Sequence, residues 1–294
     1  MAKNTGHAKG GKLMTDKPLE GKVAVVTGAG SPIGMGRAMS LALVGAGARV
    51  TMIDINKETL MQSASEASKA GGEGCALPVV ADVTNSIDAE MVVRRTVTEL
   101  GGLHILVNNA GTNQRNLGFT TALRQRFWEI SPEAWTKVLA VNCGGPFLMA
   151  RAAVGQMMQQ KWGRIIGVTT SLDTMIRQNM SPYGPSKAAH EALMAIMTQE
   201  LEGTGVTVNV LVPGGPANTN LLPPDTPWDR SKLIQPDVMQ KPVVWLASDA
   251  SNGINGRRFI AHRWDENLPI QQRLEKAGAT VAWHQLGQQS VQPK

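Results

Sequence analysis

The chain has 294 residues, 42% hydrophobic and 18% charged, a composition typical of a globular protein with one large α/β domain or two small ones. No apolar run looks long enough to cross a membrane, and the charged first residues lack the apolar core of a secretory signal. The net charge is +6, but four lysines lie in the first 17 residues and the other basic residues are scattered, so we expect no nucleic-acid partner.

Strand-like and helix-like segments alternate from about residue 22 to residue 260. The first strand, "KVAVVTG", is a continuous β-branched run that ends in glycine, which is typical of a buried parallel strand. Repeated β-α units predict an α/β fold, a Rossmann-type doubly wound parallel sheet of about seven strands flanked by helices. The other predicted strands are "RVTMIDI", "CALPVVADV", "LHILVNNAG", "GRIIGVTTS", "VTVNVLVPGG" and residues 258–261. The predicted helices are "GRAMSLALVGAGA", "KETLMQSASEASKAGG", residues 88–100, 132–159 and 237–247, and "SKAAHEALMAIMTQELEG".

Three stretches interrupt the alternation: "TNQRNLGFTTALRQRFWEI" after the fourth strand, "GGPANTNLLPPDTPWDRSKL" after the sixth, and the tail after Trp264. The first two follow the carboxyl ends of strands, where such sheets bind ligands, and we interpret the second, with Trp228, as a lid. In the tail, "LPIQQRLEKAG" predicts a helix and "ATVAWHQL" a short strand. The tail either packs on a neighbouring subunit or is partly disordered. We predict a flexible arm at 1–18, one catalytic domain at 19–264 and a C-terminal extension at 265–294.

A glycine-rich turn, "TGAGSPIGMG", joins the first strand to the first helix. Its glycines allow a tight turn and a close approach to a pyrophosphate, which the free N–H groups of the helix N-terminus would bind. The alternative is a strand-to-helix turn without a ligand. We predict a dinucleotide site, and its contacts in this turn are Gly28, Gly30, Ser31, Ile33, Gly34 and Gly36.

Asp54 ends the second strand, 26 residues after Gly28. A carboxylate at this place accepts hydrogen bonds from the hydroxyls of an adenosine ribose and repels a 2′-phosphate. The alternative is that Asp54 is the N-cap of the helix that follows. The first interpretation predicts NAD as the cofactor rather than NADP.

Six short motifs, in this order and spacing, resemble those of the classical short-chain dehydrogenase/reductase (SDR) family over about Leu19 to Ala261. They are "TGAGSPIGMG", "ADV" at Asp82, "NNAG" at 108–111, "VNCGG" at Asn142, "YGPSK" at 183–187 and "VPGG" at 212–215. The resemblance implies an NAD(P)-dependent oxidoreductase that acts on the CH–OH group of a secondary alcohol or on a ketone. It also implies a homotetramer, or a homodimer, assembled through the helix at 132–159 and the helix after Lys187.

The resemblance assigns further site residues. Asn142 would kink its helix and help to carry a water toward Lys187, whose ammonium would also reach the nicotinamide ribose. The implied cofactor contacts are Asp82 and Val83 at the adenine, Asn109, Ala110 and Gly111 along the cofactor, Tyr183 and Lys187 near the nicotinamide, and Pro213 and Gly214 at the carboxamide.

The chain departs from the family pattern in two places. The usual turn, TGxxxGxG, is kept only if two extra residues are allowed, most simply Pro32 and Ile33, which predicts a wider phosphate loop. The family's catalytic serine typically stands thirteen residues before the tyrosine, and that count from Tyr183 reaches Thr170. Thr170 fits the spacing and Ser171 fits the residue type, so both are candidates for the catalytic hydroxyl.

Tyr183 is the single tyrosine of the chain, and Lys187 lies four residues further on. On a helix the two side chains share one face, and the cation would lower the pKa of the phenol well below its free value of about 10. Such a phenol takes or returns the proton of an alcohol during hydride transfer. Pro185 is tolerated only in the first turn of a helix, so we expect Tyr183 near the helix start. In the alternative, Tyr183 is a packing residue and Lys187 a solvated one.

Arginines near the expected site suit a carboxylate or phosphate, which favours a small anionic substrate such as a hydroxy acid, a sugar acid or a 3-oxoacyl thioester. They are Arg115, Arg124, Arg126 and Arg177, and the alternative is that all are exposed loop residues. Two other functions stay open, an NADPH-preferring 3-oxoacyl thioester reductase and a nucleotide sensor without turnover. Cys75 and Cys143 have no paired spacing, so we expect a cytoplasmic protein without a metal site.

Overall fold

The computed structural model describes residues 17–122 and 124–284. Within them the strands are β1 (Val23–Thr27), β2 (Arg49–Asp54), β3 (Ala76–Val80), β4 (Ile105–Asn108), β5 (Gly163–Val168), β6 (Val206–Val212), β7 (Arg257–Ile260) and β8 (Gly278–Thr280). They form one sheet in the order β3-β2-β1-β4-β5-β6-β7-β8, parallel except for the β7–β8 pair. The predicted Rossmann-type doubly wound sheet is confirmed.

Helices cover both faces of this sheet. They are α1 (Met35–Gly45), α2 (Lys57–Gly71), α3 (Ser86–Leu100), α4 (Pro132–Leu139), α5 (Gly145–Gln159), α6 (Leu172–Met175), α7 (Tyr183–Glu200), α8 (Gln240–Ala247) and α9 (Ile270–Ala277). Side chains of α1, α2 and α8 form one apolar core with the sheet, and those of α3, α5 and α7 form the other. Strands such as β1 and β4 are therefore buried on both faces, which explains their continuous apolar sequences.

Local chemistry accounts for where several helices begin and end. The Asn56 side chain accepts a hydrogen bond from the Thr59 amide at the start of α2, and Asn85 caps α3 in the same way. Helix α3 ends at Gly101, whose φ of 78° is the left-handed conformation that favours glycine. These caps orient the helices so that their apolar faces meet the sheet.

The strand order reverses at β1, which lies between β2 and β4. The loops that follow β1 and β4 therefore leave the sheet toward opposite faces and open a crevice at its carboxyl edge. Ligands of doubly wound sheets bind in this crevice. The reversal places the glycine-rich turn beside the "NNAG" segment, although they lie about 80 residues apart in sequence.

The eighth strand comes from the C-terminal extension and corrects the predicted count of about seven. The predicted tail helix is α9, and the predicted strand "ATVAWHQL" is reduced to β8, which pairs antiparallel with β7. Val281 follows it and is buried, with 2% of its surface exposed. The described part of the extension thus adds a strand to the protein's own sheet, through the backbone pairing of β8 with β7. Residues 285–294, and residues 1–16 of the predicted arm, lie outside the described residues.

The long helix predicted at 132–159 is two helices, α4 and α5, joined by a π-helical turn at Ala140–Gly144. By length and composition alone, Pro132–Gln159 is apolar enough to cross a membrane, with a mean hydropathy of 1.3 in its most apolar window. The prediction that no such run exists is wrong in that sense. However, 39% of that window is buried within the protein, and core helices pass the same test, so the segment is weak evidence for a span.

Candidate active site

The glycine-rich turn between β1 and α1 is held in a conformation that side chains would prevent. Gly28 has a φ of 66°, and a Cβ added to it would lie 2.9 Å from the Ala110 Cα atom. A Cβ on Gly36 would lie 2.2 Å from the carbonyl oxygen of Gly28. Glycine is therefore required at both positions for the turn to pack against β4 and for α1 to begin directly behind it.

The N-terminus of α1 is left without a side-chain cap. Its N-cap residue is Gly34, no side chain in the described part of the chain caps the first turn, and that turn contains no acidic residue. The neighbouring Ser31 Oγ is buried without a hydrogen-bond partner among the described residues. Free amide donors, a positive helix end and an unpartnered hydroxyl fit a phosphate group, so the turn fits the pyrophosphate of a dinucleotide.

Asp54 lies at the end of β2, facing this turn. Its Oδ2 accepts a hydrogen bond of 2.9 Å from the Gly30 amide, and its Oδ1 accepts one of 3.1 Å from the Asn56 amide. The suggested helix N-cap is wrong, because Asn56 and not Asp54 caps α2. A carboxylate with one backbone donor on each oxygen keeps acceptor capacity for the two hydroxyls of a ribose.

The end of β4 is tied to the end of β1. The Thr27 hydroxyl accepts hydrogen bonds from the amides of Asn109 and Ala110, at 3.0 and 2.9 Å. The Asn109 side-chain amide donates to the carbonyl oxygens of Thr27 and Gly28, at 2.8 and 3.2 Å. These bonds fix the "NNAG" segment against the glycine-rich turn.

The other expected cofactor contacts lie along the same edge of the sheet. Asp82 follows β3, and its carboxylate accepts hydrogen bonds from the backbone and side chain of Thr84, both at 2.8 Å. Val83 is nearly buried and packs where α5 begins, since a Cβ on Gly145 would lie 2.8 Å from its Cγ2. Gly214, after β6, has a φ of 107°, and the Pro213 carbonyl accepts a hydrogen bond from the His262 amide.

Asn142 lies fully buried inside the π-helical turn. Its Oδ1 accepts a 2.8 Å hydrogen bond from the Thr112 amide, and its Nδ2 donates to the Thr112 carbonyl and to Ser186 Oγ, both at 2.9 Å. Ser186 in turn donates to the Tyr183 carbonyl at 2.7 Å. Asn142 therefore interrupts its helix, as expected, and joins the loop after β4 to the first turn of α7.

Of the two candidate hydroxyls, the structure brings Thr170 to the tyrosine. Tyr183 is the first residue of α7, as predicted, and the Thr170 side chain lies close enough to its phenol to lower the pKa of that phenol. The Ser171 hydroxyl instead forms a 2.6 Å hydrogen bond with the Thr174 hydroxyl, within one turn of its own chain. The geometry thus favours Thr170 as the hydroxyl that shares a substrate oxygen with Tyr183.

The predicted low pKa of Tyr183 is wrong for the structure described here. Burial raises the pKa of the phenol from 10.0 to about 12, and the neighbouring Thr170 side chain lowers it only in part. Lys187 does not contribute to this pKa, and its Nζ donates a 2.8 Å hydrogen bond to the Val168 carbonyl oxygen. Burial also lowers the pKa of Lys187 itself, from 10.5 to about 8.

Two loops meet above the carboxyl edge of the sheet. Asn113, after β4, donates a 3.0 Å hydrogen bond to the Leu221 carbonyl, and Asn116 donates one of 2.8 Å to the Asn220 carbonyl. A cleft of about 460 Å³ lies between the glycine-rich turn and the loop after β6, and it is lined by Ile33, Asn220, Leu222, Pro224 and Arg230. The predicted lid is thus held over the crevice, while Trp228 on it is half exposed.

The arginines expected at the substrate site are not brought together. Arg115 Nη2 forms a 3.0 Å ion pair with Asp225, and its Nη1 is buried without a partner among the described residues. Arg177 is exposed and pairs with Asp173, and Arg124 and Arg126 are exposed. Arg124, Arg126 and Arg177 are therefore exposed loop residues, as the alternative had it, and Arg115 alone of the four has a buried guanidinium nitrogen without a partner among the described residues.

Sequence reasoning missed several residues that shape the site: Thr27, Asn113, Asn116 and Ser186. Thr27 carried one signal, a hydroxyl at the last position of an otherwise apolar strand. The others had none, since their partners lie between 44 and 108 residues away in the chain. Among residues 17–122 and 124–284, no group of three or more His, Cys, Asp or Glu side chains could hold a metal ion.

Comparisons with known proteins agree with this geometry. The sequence profile described as short chain dehydrogenase matches residues 22–230. The 3-oxoacyl-acyl-carrier-protein reductase FabG of Thermotoga maritima is 32% identical over 247 residues, which cover 81% of this chain and 95% of that protein. The D-threitol dehydrogenase of Mycolicibacterium smegmatis is 30% identical over 260 residues, which cover 83% of this chain and 93% of that protein.

A solved structure shows the same likeness in three dimensions. The crystal structure of a short-chain type dehydrogenase/reductase from Mycobacterium marinum matches with a TM-score of 0.73 and 30% identity, over 83% of this chain and 95% of that one. The profile match extends from β1 to the loop after β6, and so includes the turn, the π-helical asparagine and the tyrosine. On these grounds the chain belongs to the short-chain dehydrogenase/reductase family.

Proposed function

We propose that this protein is an NAD(P)(H)-dependent oxidoreductase that interconverts a secondary alcohol and a ketone on a small substrate. One observation carries the proposal: Tyr183, with the Thr170 side chain close enough to lower the pKa of its phenol, lies at the sheet edge that also bears a glycine-rich turn without a side-chain cap among the described residues. A proton donor beside a dinucleotide-shaped crevice is the pairing that hydride transfer to a carbonyl requires.

The residues divide the work as follows. In the reduction, the Tyr183 hydroxyl gives its proton to the ketone oxygen, and in the oxidation the phenolate takes the proton of the alcohol. The Thr170 hydroxyl orients that same oxygen. Lys187 places its ammonium at the carboxyl end of β5, and Asn142 holds the first turn of α7 in place. A nicotinamide dinucleotide bound along the crevice would accept or supply the hydride.

Asp54 decides the cofactor preference in this proposal, in favour of NAD. Replacing Asp54 with alanine is expected to lower the NAD-to-NADP ratio of kcat/KM at least tenfold, because the carboxylate no longer repels a 2′-phosphate. Steady-state kinetics with both cofactors measures the ratio. Asp54→Asn is the matched variant. It removes the charge but keeps an oxygen for the Gly30 amide, so it separates the loss of the charge from the loss of that hydrogen bond. An unchanged ratio in both variants contradicts the assignment.

Arg115, on the loop after β4, is the residue that favours an anionic substrate, because its Nη1 is buried and has no partner among the residues that the structure describes. A screen of neutral secondary alcohols, hydroxy acids, sugar acids and 3-oxoacyl thioesters, followed by the absorbance of the reduced cofactor, tests both the activity and the substrate class. Arg115→Met is expected to raise the KM of the anionic substrate at least tenfold and to leave the KM of the cofactor unchanged.

Arg177→Met is the control for this variant, because Arg177 is exposed and pairs with Asp173 instead of facing the crevice. Turnover of neutral alcohols alone would reject the anionic class while leaving the oxidoreductase in place. No turnover with any compound, together with measurable dinucleotide binding, would favour the nucleotide sensor.

A second candidate for the reaction is a 3-oxoacyl thioester reductase that prefers NADPH. The relative from Thermotoga maritima bears the name of such a reductase and is 32% identical. The Asp54 carboxylate beside Gly30 opposes a 2′-phosphate and so disfavours this candidate. The cofactor ratio and the thioester arm of the screen separate the two.

We also propose the homotetramer that the resemblance implies, through α4, α5 and α7. Large apolar side chains on these helices are partly exposed in the single chain: Trp135 at 40%, Phe147 at 49%, Met158 at 42% and Ile196 at 50%. Apolar surface of this kind is typical of an interface. Light scattering that gives the single-chain mass of 31.4 kDa at assay concentrations would contradict the assembly.

A further inference from the structure

A buried ion pair lies directly behind Thr170, and no role described above uses it. Arg258 on β7 and Glu191 on α7 are 5% and 0% exposed, and the distance from Arg258 Nε to Glu191 Oε1 is 3.0 Å. Taking two charges out of water costs more than a well-packed apolar pair would, so stability alone is a poor reason for such a pair. Its other contacts show what it holds.

Each end of the pair bonds the chain that leaves β5. Arg258 Nη2 donates a 2.7 Å hydrogen bond to the Thr170 carbonyl oxygen, and the Thr169 hydroxyl donates one of 2.6 Å to Glu191 Oε2. Glu191 Oε1 also accepts a hydrogen bond of 3.2 Å from the Ala282 amide in the C-terminal extension. Two consecutive residues are thus held by one pair of charged side chains.

These hydrogen bonds hold a segment that has no strand pairing within the sheet. The pairing of β5 with β6 ends at Val168 and Leu211, so Thr169 and Thr170 lie beyond the sheet ladder. Unsupported backbone at a strand end has several conformations, and a hydroxyl on it would not keep a fixed distance to Tyr183. A planar guanidinium that holds a carboxylate and a carbonyl at once restricts that backbone.

We propose that Glu191 and Arg258 form a positioning pair that holds the Thr170 backbone so that its hydroxyl stays aligned with Tyr183. The pair bonds Thr169, Thr170 and Ala282, and it acts on the reaction through Thr170. This inference rests on the proposed oxidoreductase function, because it concerns the hydroxyl that orients the substrate oxygen in that reaction.

The decisive variant removes both charges together. In Glu191→Gln/Arg258→Met neither charge is left unpaired, and the glutamine keeps an acceptor for the Thr169 hydroxyl, so the chain is expected to fold. The Thr170 carbonyl loses its donor. We expect kcat to fall between tenfold and hundredfold, the range for a misplaced group, while the dissociation constant of the cofactor stays within twofold of wild type.

A second variant and a control separate a loss of positioning from a loss of folding. Arg258→Lys keeps the charge but replaces the fork by a single ammonium, so it is expected to hold Glu191 and still lose the contact with Thr170. Arg164→Met removes a buried arginine from the opposite end of β5, where it bonds Gly163 and Asn252 and not Thr170. The control is expected to reduce stability without reducing kcat.

The readout that distinguishes positioning from general structure is coupling to Thr170. In a Thr170→Ala background the aligned hydroxyl is gone, so adding Glu191→Gln/Arg258→Met should lower kcat less than twofold further. An equal loss in both backgrounds, or wild-type kcat in the double variant, overturns the inference and leaves the oxidoreductase standing. Absence of turnover in the wild-type protein overturns the proposed function, and the inference with it.

Discussion

Replacing Tyr183 with phenylalanine is expected to leave cofactor binding intact and to lower turnover at least hundredfold. The change removes one oxygen, so the packing at the start of α7 is kept, but the proton donor beside Thr170 is lost. General acid–base groups contribute about 10²- to 10⁴-fold to such rates. Steady-state kinetics gives the turnover, and quenching of tryptophan fluorescence by the reduced cofactor gives the binding.

One outcome for the Tyr183→Phe variant would contradict the assignment of Tyr183. Turnover within a few-fold of wild type in Tyr183→Phe would show that Tyr183 is not the acid–base group, whatever its neighbours. Thermal unfolding of the variant serves as the control, because an unchanged midpoint separates lost chemistry from lost structure. Loss of cofactor binding together with turnover would instead assign Tyr183 to the binding site alone.

The raised pKa of Tyr183 also predicts the direction of the pH dependence. With a pKa of about 12 in the structure described here, the phenol is protonated near neutral pH. It is therefore ready to donate a proton in ketone reduction, whereas alcohol oxidation needs the phenolate, whose fraction increases as the pH rises toward the pKa. The two directions of the reaction are expected to show opposite pH dependence.

Replacing Lys187 with methionine is expected to abolish most turnover and to make the protein more stable at neutral pH. Burial lowers the pKa of Lys187 from 10.5 to about 8, and each pKa unit is worth about 1.4 kcal/mol, so the buried charge costs roughly 3 kcal/mol. Losing the hydrogen bond to Val168 takes back about 1 kcal/mol. The free energy of unfolding should therefore rise by about 2 kcal/mol at about pH 7.

The sign of the pH dependence follows from linkage. The folded pKa lies below the unfolded one, so the cost of the buried ammonium is fully present below about pH 8 and fades as the pH rises toward 10.5. The stability gap between variant and wild type should shrink to near zero by about pH 9.5. Urea unfolding of both proteins at the two pH values measures it. If the variant is less stable than wild type at neutral pH, or if the stability gap does not change with pH, the buried Lys187 ammonium does not carry the cost given above.

Local patterns were sufficient to predict most of the sheet and the start of the catalytic helix. The buried strands are continuous apolar runs, and their period is independent of what packs against them. Pro185 has no amide to donate, and that alone placed Tyr183 at the first turn of α7. The boundary between α4 and α5 was not predicted. A π-helical turn hardly disturbs the spacing of apolar residues along the chain, so the two helices were predicted as one.

Contacts between distant segments decided the rest. Thr170 and Ser171 are adjacent, and only the path of the chain beyond β5 shows that one hydroxyl faces Tyr183 and the other faces Thr174. The pKa of Tyr183 depends on how completely the phenol is buried and on how close the Thr170 side chain lies. Neither quantity can be read from a four-residue spacing.

What the sequence determined by itself is the set of parts: a Rossmann-type sheet, a glycine-rich turn with an acidic residue after β2, and a tyrosine one helical turn before a lysine. These features depend on backbone preferences within a few residues, so short stretches of sequence are enough to predict them. Only the tertiary structure decided which hydroxyl serves the tyrosine, that the C-terminal extension adds an eighth strand, and that Glu191 meets Arg258. Those outcomes depend on burial and on contacts between separate segments, up to the 67 residues between Glu191 and Arg258, where free energy and not spacing selects the contact.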